Sequence, residues 1–213
     1  MRSSLWVIIP GQSFDRSKTR LSPVLGPAER KHFSRACLIH VVRTARRIFP
    51  ARQIVVVSAA AEVLGLAKRL GVIALRETGA GLNKAVAQAS RYAQRRGAKG
   101  VIAIHGDLPG LKLEELKALR GNLVRHQGVV LAPDEACEGS NALAMRPAGK
   151  IRYRFGPGSF KKHCAETRRA RARLKIIRLP GLARDIDTPE NYGQFQKSIT
   201  QGATWKSQSP VVE

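Results

Sequence analysis

Two aspartates at alternating positions, Asp185 and Asp187, stand near the end of the chain in the stretch LARDIDTPENY. In an extended segment, residues i and i+2 point to the same side, so both carboxylates can face one point. A third acid, Asp107, follows the apolar run VIAIHG, and α/β folds bind ligands beyond the carboxyl ends of their strands. Three converging carboxylates would suit Mg²⁺, which shares oxygen ligands with substrate phosphates. The structural alternative makes Asp107 a turn residue and Asp187 a helix N-cap.

The acids lie in a strongly basic chain, with 38 Lys+Arg against 15 Asp+Glu and a net charge of +23. Such a charge favours acidic partners: nucleic acid, an anionic surface or small phosphorylated molecules. The loop after the first apolar run carries Arg16, Lys18 and Arg20, which could clamp a polyphosphate. A solvated basic loop is the alternative, and the loop does not contain a Walker A motif.

Two small polar loops could bind an anion. The stretch FGPGSF places Gly156 and Gly158 before Ser159, and backbone N–H groups with a hydroxyl at a helix start form an anion site. An ordinary Gly-Pro turn with a serine cap is the alternative. The stretch EGSN, which contains Ser140, allows the same two interpretations.

Strand and helix patterns alternate along the first two thirds of the chain. Apolar runs predict strands at 5–9, 53–58, 72–75 and 128–133, and the stretch 100–110 predicts a strand that runs into a Gly/Pro loop. The four-residue spacing of Phe33, Cys37, Val41 and Ala45 predicts a helix that begins near Pro27. This rhythm favours right-handed crossovers on a mostly parallel sheet. Because the pattern becomes irregular after residue 133, we expect a mixed sheet with an antiparallel hairpin late in the chain.

Composition also limits the class of protein. No apolar run approaches the roughly 20 residues that cross a bilayer, and the N-terminus lacks a signal-peptide core, so we expect a soluble cytoplasmic protein without a membrane partner. The cysteines Cys37, Cys137 and Cys164 are odd in number and widely spaced, which favours incidental thiols over a disulfide framework. One domain is predicted over 1–197, followed by a loose polar tail over 198–213.

Read in order, the stretches IIPGQSFDRSKTRLSP, GAGLNKAV, HGDLPGL, APDEACEGSNAL, FGPGSFKKH and LARDIDTPENY resemble the 2-phospho-L-lactate guanylyltransferase family. This family includes the phosphoenolpyruvate and 3-phospho-D-glycerate guanylyltransferases of coenzyme F420 biosynthesis. The resemblance covers roughly residues 5–195, and it is the ordered set that is specific. It implies a single nucleotidyltransferase-type α/β domain of GT-A-like, Rossmann-like form, with a mixed central sheet flanked by helices.

The resemblance also implies roles for individual residues. The metal ligands, which would hold Mg²⁺ as two ions, are Asp107, Asp185 and Asp187. The residues on the GTP side are Lys18, Arg20, Gly81, Leu82 and Asn83. The residues that would bind the phosphorylated three-carbon acid are Ser140, Gly156 and Ser159. Three departures from the family pattern are Gln12 for a lysine, Ser140 for a threonine and Gly110 in the loop after Asp107, while His105 is interpreted as incidental.

The implied reaction transfers GMP from GTP to the phosphate of 2-phospho-L-lactate, phosphoenolpyruvate or 3-phospho-D-glycerate, with release of pyrophosphate. The nucleophile is already an anion, so no general base is required, and a role for His163 as a base receives little weight. A sugar-phosphate or molybdopterin-type nucleotidyltransferase is one alternative, but its Gly-rich loop is missing from residues 10–20. A nucleic-acid-binding protein is another; the low aromatic content of 5% disfavours it, and no nucleic-acid partner is expected.

Overall fold

The structure, a computed structural model, describes residues 4–200, with the side chains of 198–200 left out. The strands are β1 Leu5–Pro10, β2 Ile54–Ser58, β3 Ile73–Arg76, β4 Gly100–Ile104, β5 Val129–Pro133, β6 Ser140–Met145 and β7 Leu174–Ile176. The helices are α1 Pro27–Arg46, α2 Ala61–Arg69, α3 Leu82–Arg95, α4 Leu113–His126, α5 Ser159–Arg169, α6 Pro180–Ala183 and α7 Pro189–Thr200. Within this part of the chain, no helix is long and apolar enough to cross a membrane.

One seven-stranded sheet runs through the molecule in the order β3-β2-β1-β4-β6-β5-β7. Strand β6 pairs antiparallel with β4 and with β5, whereas the other pairings are parallel. Strands β5 and β6 are consecutive, so they form the antiparallel hairpin that the irregular pattern after residue 133 predicts. The expected mixed sheet flanked by helices is therefore confirmed.

The sheet is covered on both faces because its strands are apolar on both sides. In β1, Val7 and Ile9 belong to one buried cluster, while Trp6 and Ile8 belong to another on the opposite face. Helices α1, α2 and α4 supply the first cluster, and α3 supplies the second. Continuous apolar runs of this kind are typical of strands buried between two helical layers.

The predicted helix after Pro27 is confirmed as α1. Its stripe of Phe33, Cys37, Val41 and Ala45 is buried along the whole helix. Proline suits the first turn, since its missing N–H would have no partner there.

A third, smaller cluster packs the C-terminal helix against the N-terminal part of the chain. Phe33 contacts Tyr192 and Phe195 of α7, with ring centroids 5.4 and 5.9 Å apart. Ile186, which separates the two aspartates, is 4% exposed and lies in the same cluster as Leu21. Because neighbouring side chains of an extended segment point in opposite directions, burial of Ile186 turns Asp185 and Asp187 away from this cluster. The predicted tail, 198–213, lies outside the described residues except for the backbone of α7 up to Thr200.

Glu115 fixes the segment that leads into the acidic stretch. Its carboxylate accepts hydrogen bonds from the backbone N–H groups of Lys112 and Gly181, at 2.9 and 2.7 Å. The first bond caps helix α4 and the second holds helix α6 beside it. A glycine is required at 181, because a Cβ there would overlap the carbonyl oxygen of Gly110 and the Glu115 carboxylate.

We predict that Glu115→Ala lowers the free energy of unfolding by about 1.5–3 kcal/mol, because two backbone N–H groups, that of Gly181 buried and that of Lys112 partly buried, lose a charged acceptor. Denaturant unfolding followed by circular dichroism measures this. Glu114→Ala is the matched control, since Glu114 is its exposed neighbour on the same helix turn and should change stability by less than about 0.5 kcal/mol. Equal losses of stability in the two variants would contradict the role of Glu115 in holding α6 beside α4.

Candidate functional site

A buried lysine lies between two of the predicted acids. The Nζ atom of Lys18 donates to Oδ2 of Asp107 at 2.8 Å and to Oδ1 of Asp187 at 2.7 Å. The lysine side chain is only 3% exposed, while those of Asp107 and Asp187 are 37% and 43% exposed. The ammonium is therefore desolvated and paired with both acids, whereas both carboxylates retain a surface open to a ligand.

The topology brings these three residues together. Strands β1 and β4 are parallel neighbours, so the loops that follow them begin at the same edge of the sheet. The first loop carries Lys18 between two short 3-10 turns, Phe14–Arg16 and Thr19–Leu21. The second carries Asp107, and the segment before α7 brings Asp187 to the same edge. This is the edge at which α/β folds bind their ligands.

The electrostatics keep Lys18 and Asp107 charged near neutral pH. Burial alone would lower the pKa of Lys18, but the carboxylates of Asp107 and Asp187 raise it well above its ordinary value. Burial alone would raise the pKa of Asp107, but the Lys18 ammonium holds it below its ordinary value. The pairing therefore compensates for the loss of water around the lysine.

Asp185 is half-buried and differs from the other two acids. Its pKa is raised by burial and by the charges of Asp187 and Asp107, so all three carboxylates lie within electrostatic range of one another. Its backbone carbonyl accepts a hydrogen bond from Asn191 of α7 at 3.1 Å. Among residues 4–197, no three His, Cys, Asp or Glu side chains form a ready metal-binding group. Asp107 and Asp187 instead share the Lys18 ammonium as their partner.

Lys18, Asp107 and Asp187 line a cleft at the carboxyl edge of the sheet. Its walls come from the loop 10–20, the segment 105–107, and the side chains of Leu82 and Asp187. Lys18, Arg20 and Leu82, all predicted on the nucleotide side, thus share one cleft with two of the predicted metal ligands. The cleft also contains Arg16, the third cation of the predicted polyphosphate clamp, and two residues without a predicted ligand role, Gln12 and His105. His105 comes two residues before Asp107 at the end of β4, a spacing that could have indicated it.

Gly81 and Asn83 stand at the start of α3. Gly81 adopts a φ of +102°, which lies in the region that favours glycine, and it directly precedes the helix. The side-chain amide of Asn83 donates to the carbonyl of Phe155 at 2.9 Å and accepts from its N–H at 2.7 Å. Asn83 therefore ties the start of α3, which is predicted to lie on the nucleotide side, to the glycine loop that contains Gly156.

The three predicted acceptor residues lie outside the cleft walls and around a buried histidine. Ser140 and Ser159 are 2% and 1% exposed, and the N–H of Ser159 donates to the carbonyl of Gly156 at 3.0 Å. His163, one turn after Ser159 on α5, contacts Ser140 through Nδ1 at 3.0 Å. Ring contacts join this group to the cleft, since Phe155 packs on both His163 and His105 with centroids 5.0 and 5.3 Å apart.

The hydrogen bonds of His163 determine its tautomer. Nε2 must accept, because its partner is the backbone N–H of Arg154 at 2.9 Å. Nδ1 therefore carries the proton and donates to the Ser140 hydroxyl, which leaves the hydroxyl hydrogen of Ser140 available to another acceptor. Burial lowers the pKa of His163 to about 4, so the ring is neutral at physiological pH. Both nitrogens are engaged, and this network was missed in the sequence because it joins residues 140, 154 and 163.

Comparison with known protein families identifies the family to which this chain belongs. A family model described as "Guanylyl transferase CofC like" matches residues 5–204. The chain belongs to this family. Membership confirms the resemblance that the ordered motifs indicate, and it favours a nucleotidyltransferase over the nucleic-acid-binding alternative.

Curated relatives of this CofC-like chain carry guanylyltransferase names. A phosphoenolpyruvate guanylyltransferase from Sphaerobacter thermophilus is 36% identical over 197 residues, covering 92% of this chain and 95% of that protein. Another, from Rubrobacter xylanophilus, is 33% identical and covers 92% and 95%. A 2-phospho-L-lactate guanylyltransferase from Methanobrevibacter smithii is 31% identical and covers 90% and 83%.

Solved structures with the same fold are nucleotidyltransferases or related enzymes. A candidate nucleotide-diphospho-sugar transferase from Desulfovibrio desulfuricans has a TM-score of 0.78 at 16% identity, covering 94% of this chain and 90% of that one. CMP:2-keto-3-deoxy-manno-octonic acid synthetase, solved with CTP, has a TM-score of 0.63 at 11% identity, covering 93% and 99%. At these identities the likeness confirms the fold alone.

We predict that His163 makes stability depend on pH. The unfolded chain protonates this histidine near its ordinary pKa of 6.5, but the folded protein does so only near 4. The free energy of unfolding should therefore fall as the pH drops through this window, by up to about 3 kcal/mol from His163 alone. His163→Asn retains a donor towards Ser140. It should remove the contribution of His163 to the dependence of the free energy of unfolding on pH.

Urea unfolding at about pH 7 and about pH 4.5 measures the effect. His40, whose pKa is also lowered by burial, is present in both proteins and so cancels in the comparison. His32→Asn serves as the control, because His32 is exposed on α1. If wild type and His163→Asn lost stability equally on acidification, the buried neutral ring would be ruled out.

Proposed function

We propose that this protein is a guanylyltransferase that moves GMP from GTP to the phosphate of a small three-carbon phospho-acid, in the biosynthesis of coenzyme F420. The buried Lys18 with Asp107 and Asp187, at the ligand-binding edge of a nucleotidyltransferase fold, is the observation that carries the proposal. Pyrophosphate is the second product. Both substrates are small, and we propose a cytoplasmic enzyme that requires neither nucleic acid nor membrane.

Positive charge in the cleft supports GTP as the donor. The triphosphate brings about four negative charges into a site whose walls include Arg16, Lys18 and Arg20. An exposed guanidinium such as that of Arg16 or Arg20 can bind two phosphate oxygens at once, whereas an ammonium acts as a point charge. Gln12 lines the same cleft and contributes a neutral amide where the family pattern has a lysine.

The carboxylates fit Mg²⁺ that arrives with the nucleotide. Magnesium is commonly held by one or two carboxylates together with substrate phosphates, so a complete cage of three protein ligands is not required. Asp107 and Asp187 each engage Lys18 through one oxygen and have a second oxygen to offer, and Asp185 lies within range of both. These three residues would hold Mg²⁺ as two ions. The metal would neutralise charge on the α- and β-phosphates as the leaving group departs.

The reaction requires positioning and charge neutralisation rather than a protein base. An oxygen of the acceptor phosphate forms a bond to the α-phosphorus of GTP, and the bond from that phosphorus to the oxygen bridging to the β-phosphorus breaks. The attacking group is already an anion, so no proton must be removed from it. The site agrees with this chemistry, because His163 is neutral, buried and engaged at both nitrogens.

For the acceptor we propose phosphoenolpyruvate, because relatives at 36% and 33% identity carry that name. The residues that we assign to it are Ser140, Gly156 and Ser159. The Ser140 hydroxyl can donate to a substrate oxygen. Among the described residues, none other than Gly156 and its two chain neighbours has an atom within 4 Å of the position that a Cβ would take at Gly156. The related acceptors differ from phosphoenolpyruvate by small groups, which are worth only about 1–3 kcal/mol in a pocket.

The direct test is incubation with GTP, Mg²⁺ and each phospho-acid in turn, with pyrophosphate release as the readout. We expect release with phosphoenolpyruvate, and none when GTP is replaced by CTP or when the metal is chelated. Faster release with 2-phospho-L-lactate or 3-phospho-D-glycerate would correct the acceptor. No release with any of the three acids would overturn the proposed function.

We predict that Asp187→Asn lowers kcat by at least about a hundredfold, because an amide binds magnesium poorly and loses charge beside Lys18. Circular dichroism should show an unchanged fold, since Ile186 and α7 anchor the segment independently. Asp15→Asn is the matched control, because Asp15 is an exposed acid that pairs with Lys31 at 2.9 Å. Near-normal turnover by Asp187→Asn would refute a metal role for this residue.

A further inference from the structure

The Lys18 ammonium occupies the place in the cleft at which a cation would meet two carboxylates. It lies 2.8 Å from Asp107 and 2.7 Å from Asp187, and its side chain is 3% exposed. A lysine that served only to bind phosphate would extend its ammonium into the open cleft. This one is instead bound to the two acids that the metal needs.

The backbone also holds Lys18 in this position. Its φ of +56° and ψ of 33° place a non-glycine residue in the left-handed region. Such conformations persist where the surrounding structure fixes them, and they concentrate at ligand-binding sites. Here the carbonyl of Lys18 accepts from the N–H of Leu21 at 2.9 Å, and Leu21 is fully buried. The lysine is therefore directed towards the acids by its own loop.

The other two cations of the cleft differ from Lys18. Arg16 and Arg20 flank it in the same loop, and both are exposed. They can receive phosphates without giving up a buried ion pair. Lys18 can do so only if its ammonium leaves the carboxylates, which then become available to another cation.

We propose that Lys18 is the resident counterion of Asp107 and Asp187, and that it delays binding of a divalent cation until a nucleoside triphosphate draws its ammonium away. Two carboxylates beside one ammonium carry a net charge of −1, and a divalent ion entering there would be repelled by the lysine at short range. A triphosphate supplies both a new partner for the lysine and additional oxygen ligands for the ion. Lys18 is thus a positioning residue that orders the binding of nucleotide and metal.

This inference rests on the proposed function for the identity of the nucleotide, but its main test uses the nucleotide-free protein. Lys18→Met removes the ammonium and keeps most of the apolar stem. Titration with Mn²⁺, followed by electron paramagnetic resonance of the free ion, should show binding at least about tenfold tighter than in wild type. GTP binding measured in EDTA should weaken by at least about tenfold, because the triphosphate loses a cation.

Lys31→Met is the matched control for this experiment. It removes the same charge from an exposed pair with Asp15 outside the cleft. The affinities for Mn²⁺ and for GTP should therefore both stay within about twofold of wild type. Circular dichroism confirms folding of each variant. Equal Mn²⁺ affinity in wild type and in folded Lys18→Met would overturn the inference. Tighter Mn²⁺ binding without pyrophosphate release by the wild type would leave it standing while the proposed function failed.

A second measurement does not depend on the variant being stable. The ¹⁵N-edited spectrum of lysine ammonium groups detects an ammonium that is held in ion pairs, and a folded Lys18→Arg protein assigns the Lys18 signal. In wild type, millimolar Mg²⁺ alone should leave this signal in place, whereas GTP in EDTA should shift it. A shift caused by Mg²⁺ alone would show that the lysine does not exclude the ion.

Discussion

A desolvated ammonium must be paired, and this constraint organises the carboxyl edge of the sheet. Lys18 is buried by the loop after β1, so its charge requires acids that come from elsewhere in the chain. Asp107 after β4 and Asp187 before α7 meet that need at 2.8 and 2.7 Å. Three segments that are remote in sequence are thereby held at one point. The same point offers spare carboxylate oxygens to solvent, so it is a structural joint as well as the proposed binding site.

Apolar packing around Ile186 holds Asp185 and Asp187 in position. Ile186 is buried between Asp185 and Asp187, and Phe33 packs on the aromatic rings of α7. Glu115 fixes the approach to this segment through the N–H of Gly181. Besides the ion pairs with Lys18, apolar packing sets the direction of the carboxylates. The buried isoleucine does so, since the backbone on either side of it has to present the acids to the cleft.

A second, neutral network supports the other side of the site. Asn83 binds both backbone groups of Phe155, whose ring lies between His105 and His163. His163 in turn donates to Ser140, so a chain of contacts leads from α3 to the start of β6. Because the histidine stays neutral, this network adds no charge next to the ionic group. The proposed binding regions for nucleotide and acceptor are therefore joined by hydrogen bonds and ring contacts.

The sequence by itself determined the local elements and the class of fold. The strands β1 and β4 follow from short continuous apolar runs, which are typical of strands buried on both faces. The stripe on α1 from Phe33 to Ala45 follows from periodicity, because a helix face repeats about every 3.6 residues. The ordered motifs also indicated the family, and the spacing of Asp185 and Asp187 indicated that they face the same side. Only the tertiary structure decided the strand order and the partner of each charged group. Lys18 meets acids 89 and 169 residues away, and Asn83 binds Phe155 72 residues away. No local pattern encodes such pairs, because they depend on which strands become neighbours and on which charges are left without water.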